Sequence, residues 1–466
     1  MTGRLADLLF RPRSVVVYGA SSDPDKLSGR PLDYLKRFGF PGRVFAVNPK
    51  RAEVQGVPAF RSTADLPAPA DLAIVVVPAE MVLGALRECA DRGVGAAIVF
   101  ASGFAESGPA GARLQAEMKA LTAATGMRIL GPNCLGSFSV SNRTFATFST
   151  AFDGDEAQID SPIGLVTQSG AVGTFTYSSM NALGIGVRYF ANTGNEADIT
   201  AVEILRALAD EPDVDVLMGH LEDGRGIDAV TELARAAADR DKPLLILKGG
   251  RTPAGARAVR AHTGSVAGDS RLLEETIERY GGIAVHGLED WADTALALVG
   301  CRRPAGPRLT IVTLSGGCAA IAADAAVEAG LVVQTWRSAD RAKVAARLPS
   351  FASTLNPMDM TGVMLTDIES LTATLEVVCA NDETDSICIV LGNADRGAAE
   401  MVTSLQRAYA STGKPFLVSW TGGSGRPRLE LLRSGIPTYT DPGRAVRALG
   451  RLTHAGLRRT ALRVAR

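Results

Sequence analysis

The chain has 466 residues, 46% hydrophobic and 21% charged, and its 49 Lys and Arg against 50 Asp and Glu leave a net charge of -1. That length predicts about three domains of about 150 residues each, and the neutral balance argues against nucleic acid or an anionic membrane as main partner. The longest apolar stretch, Leu72 to Val77, falls far short of the ~20 residues of a membrane span, and Asp7, Arg11 and Arg13 interrupt any signal-peptide pattern. Six scattered Cys without a CxxC pair fit reduced thiols and a cytoplasmic protein.

Short β-branched runs come first, at Ser14–Tyr18, Arg43–Val47, Leu72–Val77, Ala97–Ala101 and Met127–Leu130. Amphipathic stretches lie between several of them, at Pro31–Phe38, Met81–Arg92 and Ala112–Thr125. This alternation predicts a parallel sheet with helices on both faces, so residues 1–145 read as a Rossmann-like domain. Asn142–Asp160, rich in Ser, Thr and Phe, reads as a connection.

The first strand runs into Gly19, Ala20, Ser21 and Ser22, with Gly29 before the next helix. Such a turn suits a phosphate or pyrophosphate at a helix N-terminus, and it equally suits a plain strand–helix turn. GxGxxG is missing, and the second strand ends in Asn48-Pro-Lys50 where NAD binding wants an acid for the ribose. Lys26 and Lys50 suit a ligand with several phosphates, which ranks a nicotinamide oxidoreductase low.

The remainder repeats itself. Val166-Thr-Gln-Ser-Gly-Ala returns as Val312-Thr-Leu-Ser-Gly-Gly, and Asp241-Lys-Pro-Leu returns as Gly413-Lys-Pro-Phe. Two related α/β domains are therefore expected, over 160–300 and 306–460, joined by the Pro-containing Arg302–Pro307. Gln168, Ser169, Gly170 and Ala171 in the first copy, and Ser315, Gly316 and Gly317 in the second, each open a helix. They are either simple N-caps or two positive helix ends for one phosphoryl group. Neither holds GxxxxGK[ST], so a P-loop kinase is excluded.

Only the first copy carries Arg251–Gly268, read as a loop with Ala and Gly around His262. Small neighbours leave that imidazole accessible for nucleophilic or acid–base work, whereas His286 and His454 read as bystanders. Glu222 follows an apolar strand and either orients an imidazole or is a solvated loop acid.

Taken together, Leu130-Gly-Pro-Asn-Cys-Leu-Gly136, Ser102-Gly-Phe-Ala-Glu106, Asn192-Thr-Gly-Asn-Glu-Ala-Asp198, His262-Thr-Gly and Asn356-Pro-Met-Asp359 resemble the α subunit of the ADP-forming acyl-CoA synthetases, relatives of the succinyl-CoA synthetase α chain. The resemblance covers nearly the whole chain. It implies a Rossmann-like CoA-binding domain followed by two flavodoxin-like ligase domains. The reaction it implies is acid + CoA + ATP to acyl-CoA + ADP + phosphate, through an acyl phosphate and phosphohistidine. His262 would be the nucleophile and Glu222 its stabiliser, with Gln168–Ala171 and Ser315–Gly317 cradling phosphate. CoA would lie on Gly19, Ala20, Ser21, Ser22, Lys26, Asn48, Lys50 and Pro78, its thiol end near Ser102 and Asn133. No ATP-grasp stretch is legible, so ATP, ADP and Mg2+ are expected on a partner ATP-grasp β subunit within an oligomer. A non-catalytic CoA- or acyl-CoA-binding protein is the alternative.

Overall fold

The computed structural model describes residues 4–154, 158–222, 226–263, 268–365 and 367–464, with the side chains of 262–263 and 363–364 outside that description. Contacts divide the chain into two units. One comprises Met1–Asn181, Ile185–Glu278 and Ala284–His286, the other Ala182–Gly184, Arg279–Ile283 and Gly287–Arg466.

The first sheet is built from β1 (Ser14–Tyr18), β2 (Arg43–Val47), β3 (Glu53–Val54), β4 (Val57–Phe60), β5 (Leu72–Val75), β6 (Ala96–Val99) and β7 (Arg128–Leu130). Their spatial order is β3-β4-β2-β1-β5-β6-β7, parallel except for β3 on β4. Helices α1 (Leu5–Phe10), α2 (Arg30–Arg37), α3 (Ala79–Asp91) and α4 (Pro109–Thr125) alternate with these strands. β5 and β6 are completely buried, as covered parallel strands must be.

The second sheet contains β8 (Gly136–Ser139), β9 (Thr144–Thr147), β10 (Ile163–Thr167), β11 (Tyr189–Asn192), β12 (Val216–Leu221), β13 (Leu244–Lys248) and β14 (Ile283–Val285). Its order is β14-β13-β12-β10-β11-β8-β9, with the β8–β9 hairpin antiparallel at one edge. Asn142–Asp160 is thus more than a connection. Its Thr-Phe-Ala-Thr strand is fully buried, and Phe145 and Phe152 pack on Phe138 at 5.6 and 4.8 Å between ring centroids. Polar Thr at both ends disguised a strand that is buried throughout. Helices α5 (Gly170–Ala182), α6 (Ala201–Ala209), α7 (Ile227–Asp239), α8 (Pro253–Thr263) and α9 (Ser270–Arg279) belong to this stretch.

After α10 (Leu288–Gly300), the third sheet takes β15 (Leu309–Thr313), β16 (Met358–Asp359), β17 (Ser386–Gly392), β18 (Phe416–Thr421) and β19 (Thr438–Tyr439). All five are parallel, in the order β16-β15-β17-β18-β19. The sequence repeat becomes a structural one: β15 runs through Ser315 into α11 (Gly316–Glu328), as β10 runs through Ser169 into α5. No helix among the described residues is long and apolar enough to cross a membrane.

Candidate functional site

Every residue nominated for CoA lies beyond the C-terminal end of a strand in the first sheet. Gly19–Ser22 and Lys26 follow β1, Asn48 and Lys50 follow β2, Pro78 follows β5, Ser102 follows β6, and Asn133 follows β7. Strand order reverses between β1 and β5, where doubly wound sheets hold their ligands. Gly19 has φ +89, and a Cβ there would lie 2.6 Å from the Val76 carbonyl oxygen, so only glycine passes the end of β5. Asn48 ties two turns together, donating from Nδ2 to Ala20 O at 3.1 Å and accepting from Lys50 N at 2.9 Å. Lys50 is exposed, and Lys26, 68% exposed, keeps its ammonium 3.9 Å from Asp23. Gln55 went unnoticed in the sequence. Its amide donates to Ser21 O at 2.8 Å and Gly29 O at 3.1 Å, so it holds the first loop from the far side of the β3–β4 turn.

A second group gathers around the N-terminus of α5. A cavity of about 260 Å³ is lined there by Gln168, Ser169, Gly170, Ala171, Asn133 and Glu222, together with Phe100, Leu135, Phe148, Asn192 and Asn195. The structure therefore brings one nominated helix start, the nominated carboxylate and the nominated thiol-end residue into one space. A helix start offers unpaired N–H groups and the positive end of the helix dipole to an anion. Among the described lining residues Glu222 is the only acidic or basic side chain apart from Cys134, whose thiol burial pushes up to about 12.

Glu222 is held by its backbone on both sides. Its N–H donates to Gln168 Oε1 at 2.5 Å, and Lys248 Nζ donates to its carbonyl oxygen at 2.7 Å. His220 lies beneath and is 4% exposed. Burial, and after it the Lys248 charge, lower its imidazole to about 4, so it is neutral at pH 7. A Cβ on Gly249 would touch both His220 Nε2, at 3.4 Å, and Glu222 Cγ, at 3.5 Å, so a glycine there leaves the two side chains room.

Within the insertion expected as a loop, Pro253–Thr263 form a helix. Pro253 opens α8 and Ala-rich sequence carries it to Thr263, because proline suits a first turn and alanine has the highest helix propensity. His262 stands in its last turn. The His262 side chain and residues 264–267 lie outside the described residues.

Ser315, Gly316 and Gly317 belong to the other unit. Ser315 caps α11 by accepting from Cys318 N at 3.4 Å, and a Cβ on Gly316 would lie 3.2 Å from Asp359 Oδ2. A carboxylate thus stands beside this second helix start. Among the described residues no group of three His, Cys, Asp or Glu is placed to hold a metal ion.

Comparison with known proteins matches two stretches of the chain. Residues 13–138 match the CoA binding domain, and residues 160–298 match the succinyl-CoA ligase like flavodoxin domain. The chain is 30% identical over 456 residues to the α subunit of acetate–CoA ligase [ADP-forming] I of Pyrococcus furiosus, covering 96% of each. It is 33% identical over 448 residues to acetate–CoA ligase [ADP-forming] I of Archaeoglobus fulgidus, covering 95% of this chain and 62% of that one. A solved acetyl-coenzyme A synthetase 1 of Ca. Korarchaeum cryptofilum, in complex with phosphate and ADP, superposes with a TM-score of 0.89 at 28% identity, covering 100% of this chain and 99% of the other.

Proposed function

The chain belongs to the ADP-forming acyl-CoA synthetase family, and we propose that it is the α-type chain of such an acid–thiol ligase, joining a carboxylic acid to CoA at the expense of ATP. The observation that carries this is the match to an α subunit over 96% of both chains. Within that frame the domains are 1–145 for CoA, 160–300 for the phosphohistidine segment, and 306–460 for the second ligase-like unit. The CoA nucleotide sits on the Gly19–Ser22 turn between Lys26 and Lys50, beside Asn48 and Pro78, with the thiol end near Ser102 and Asn133.

In the thioester-cleaving direction, a phosphate oxygen bonds to the thioester carbonyl carbon, the C–S bond breaks, and CoA leaves as the thiol after taking up a proton. The acyl phosphate lies with its phosphoryl group at the N–H groups of Gly170 and Ala171, where developing negative charge is stabilised. His262 then attacks phosphorus, and the acid departs as its carboxylate. Glu222 faces this cavity on a fixed backbone and stabilises the cationic imidazole of phosphohistidine. Ser315–Gly317, the second helix start, is the other cradle for a phosphoryl group. ATP, ADP and Mg2+ belong to an ATP-grasp β chain. The 62% coverage of the longer Archaeoglobus relative fits a division of one ligase over two chains.

The test is reconstitution. This chain with an ATP-grasp β chain, ATP, CoA and acetate should form acetyl-CoA, and radiolabelled ATP should mark His262. Full turnover by His262→Ala would remove the histidine from the reaction.

A further inference from the structure

Glu106 lies outside every role assigned above, yet more hydrogen bonds converge on its carboxylate than its partly exposed position needs. Oε1 accepts from the N–H groups of Gly103, at 2.6 Å, and Phe104, at 3.1 Å, while Oε2 accepts from Asn195 Nδ2. Gln115 doubles the link. Its Oε1 accepts from Ala105 N at 3.2 Å and Asn195 Nδ2 at 3.1 Å, and its Nε2 donates to Asn195 O at 3.4 Å. Asn195 in turn accepts from Asn133 Nδ2 at 3.2 Å through its own Oδ1, and donates its backbone N–H to Pro132 O at 2.9 Å. Both Asn195 and Asn133 line the cavity at the start of α5.

The bonds hold backbone that does not relax there unaided. Asn133, Gly194 and Glu196 all have positive φ, at +57, +57 and +55, and a Cβ on Gly194 would lie 2.3 Å from Asn133 O. Non-glycine residues in that region cost of order 1 kcal/mol or more and persist where their surroundings over-determine them. The turn Ala105–Ser107 that carries Glu106 also neighbours α8, the helix whose last turn contains His262.

We propose that Glu106 is a positioning residue for the thioester half of the reaction: its carboxylate clamps the β6–α4 turn to Asn195 and, through Asn195, fixes the Asn133 amide where the CoA thiol end meets the cavity. The inference rests on the function proposed above. A carboxylate is suited to this because it only accepts, and every atom facing it is a donor. Burial opposes its charge, but the hydrogen bonds from Asn195 and the Gly103 and Phe104 N–H groups outweigh burial and hold the carboxyl below its ordinary value. Glu106→Gln keeps the size and turns an NH2 toward one of these donors, so one side of the clamp loses its acceptor.

The experiment loads His262 from either end of the reaction, using this chain with its ATP-grasp partner. Radiolabelled ATP alone loads it from the nucleotide side; radiolabelled phosphate with acetyl-CoA loads it from the thioester side. Glu106→Gln should cut thioester-side loading on the order of tenfold to a hundredfold, the penalty of a reacting group displaced by about 1 Å, and leave nucleotide-side loading at the wild-type rate. Asn195→Ala should do the same, and the double variant no more than either single one, since all three break one chain of contacts. Equal loss from both ends, or no loss from the thioester end, overturns the proposal. Wild-type protein that takes no label from either end defeats the phosphohistidine reading instead. CoA titration of Glu106→Gln then decides the positioning role, an unchanged affinity overturning it and an affinity about tenfold weaker upholding it.

Discussion

Glu222 shows how backbone hydrogen bonds fix the point from which a functional side chain departs. Gln168 accepts from its N–H and Lys248 donates to its carbonyl, so the main chain is fixed where the side chain leaves the end of β12. If that carboxylate stabilises phosphohistidine, Glu222→Gln should lower acyl-CoA formation on the order of a hundredfold, the usual scale for losing one electrostatic partner of a transition state. A steady-state assay with the β partner checks this, and wild-type turnover in the variant would refute it. A second residue-scale expectation concerns stability. Asp385, with its side chain 6% exposed, receives the Arg308 guanidinium at 2.8 and 2.6 Å and the Arg308 N–H at 2.9 Å. Those bonds hold its carboxyl below the ordinary value. A depressed carboxyl contributes stability that is complete above the unfolded value of about 3.9 and is lost as pH falls through the lower folded value. Asp385→Asn should therefore lower the urea midpoint at pH 7 and narrow the gap to wild type at pH 3.

At the scale of elements, β1, β2, β5, β6 and β7 of the first sheet were legible because each is a short apolar run in a parallel sheet, whereas β3 and β4, short and partly exposed, carry no such run. The helices α2, α3 and α4 were legible by their amphipathic period. β9 and α8 were misread for opposite reasons. β9 is buried but looks polar, because its Thr side chains find places inside. α8 is largely exposed and lies among glycines, so its helicity rests on Pro253 and alanines rather than on an apolar stripe. The turn after β1 yields the sharpest test at this scale. With φ +89 and the Val76 carbonyl oxygen, just past β5, 2.6 Å from an added Cβ, Gly19→Ala must distort the turn. Positive φ at a non-glycine residue with such a contact costs about 1–3 kcal/mol. CoA affinity measured by titration calorimetry should fall tenfold or more, and equal affinity would take the CoA nucleotide off this turn.

At the scale of the molecule, the cavity at α5 bears on the choice of acid. Among its described lining residues there is no Lys or Arg, one acidic residue, Glu222, and the apolar Phe100, Leu135 and Phe148. A second carboxylate on the substrate would be buried without a partner, at a cost of several kcal/mol. Monocarboxylic acids should therefore exceed dicarboxylic acids of equal chain length by a hundredfold or more in kcat/KM, measured as thioester formed with the β partner. Equal use of both would place a cation at the acid that the described residues lack.

The sequence by itself determined the α/β class, the strand order of chemistry along the chain, and the repeat of strand–Ser-Gly–helix, because these are set by local pattern and by short spacings. It also supplied the motifs that identify the family. Only the tertiary structure decided which nominated residues share a space. Gln168–Ala171, Glu222 and Asn133 meet in one cavity, while Ser315–Gly317 sits in the other unit next to Asp359. It also brought in Gln55, Glu106 and Asn195, which no motif had assigned a role. Their importance lies in hydrogen bonds to residues 26 to 89 positions away, and a one-dimensional pattern carries no information about such partners.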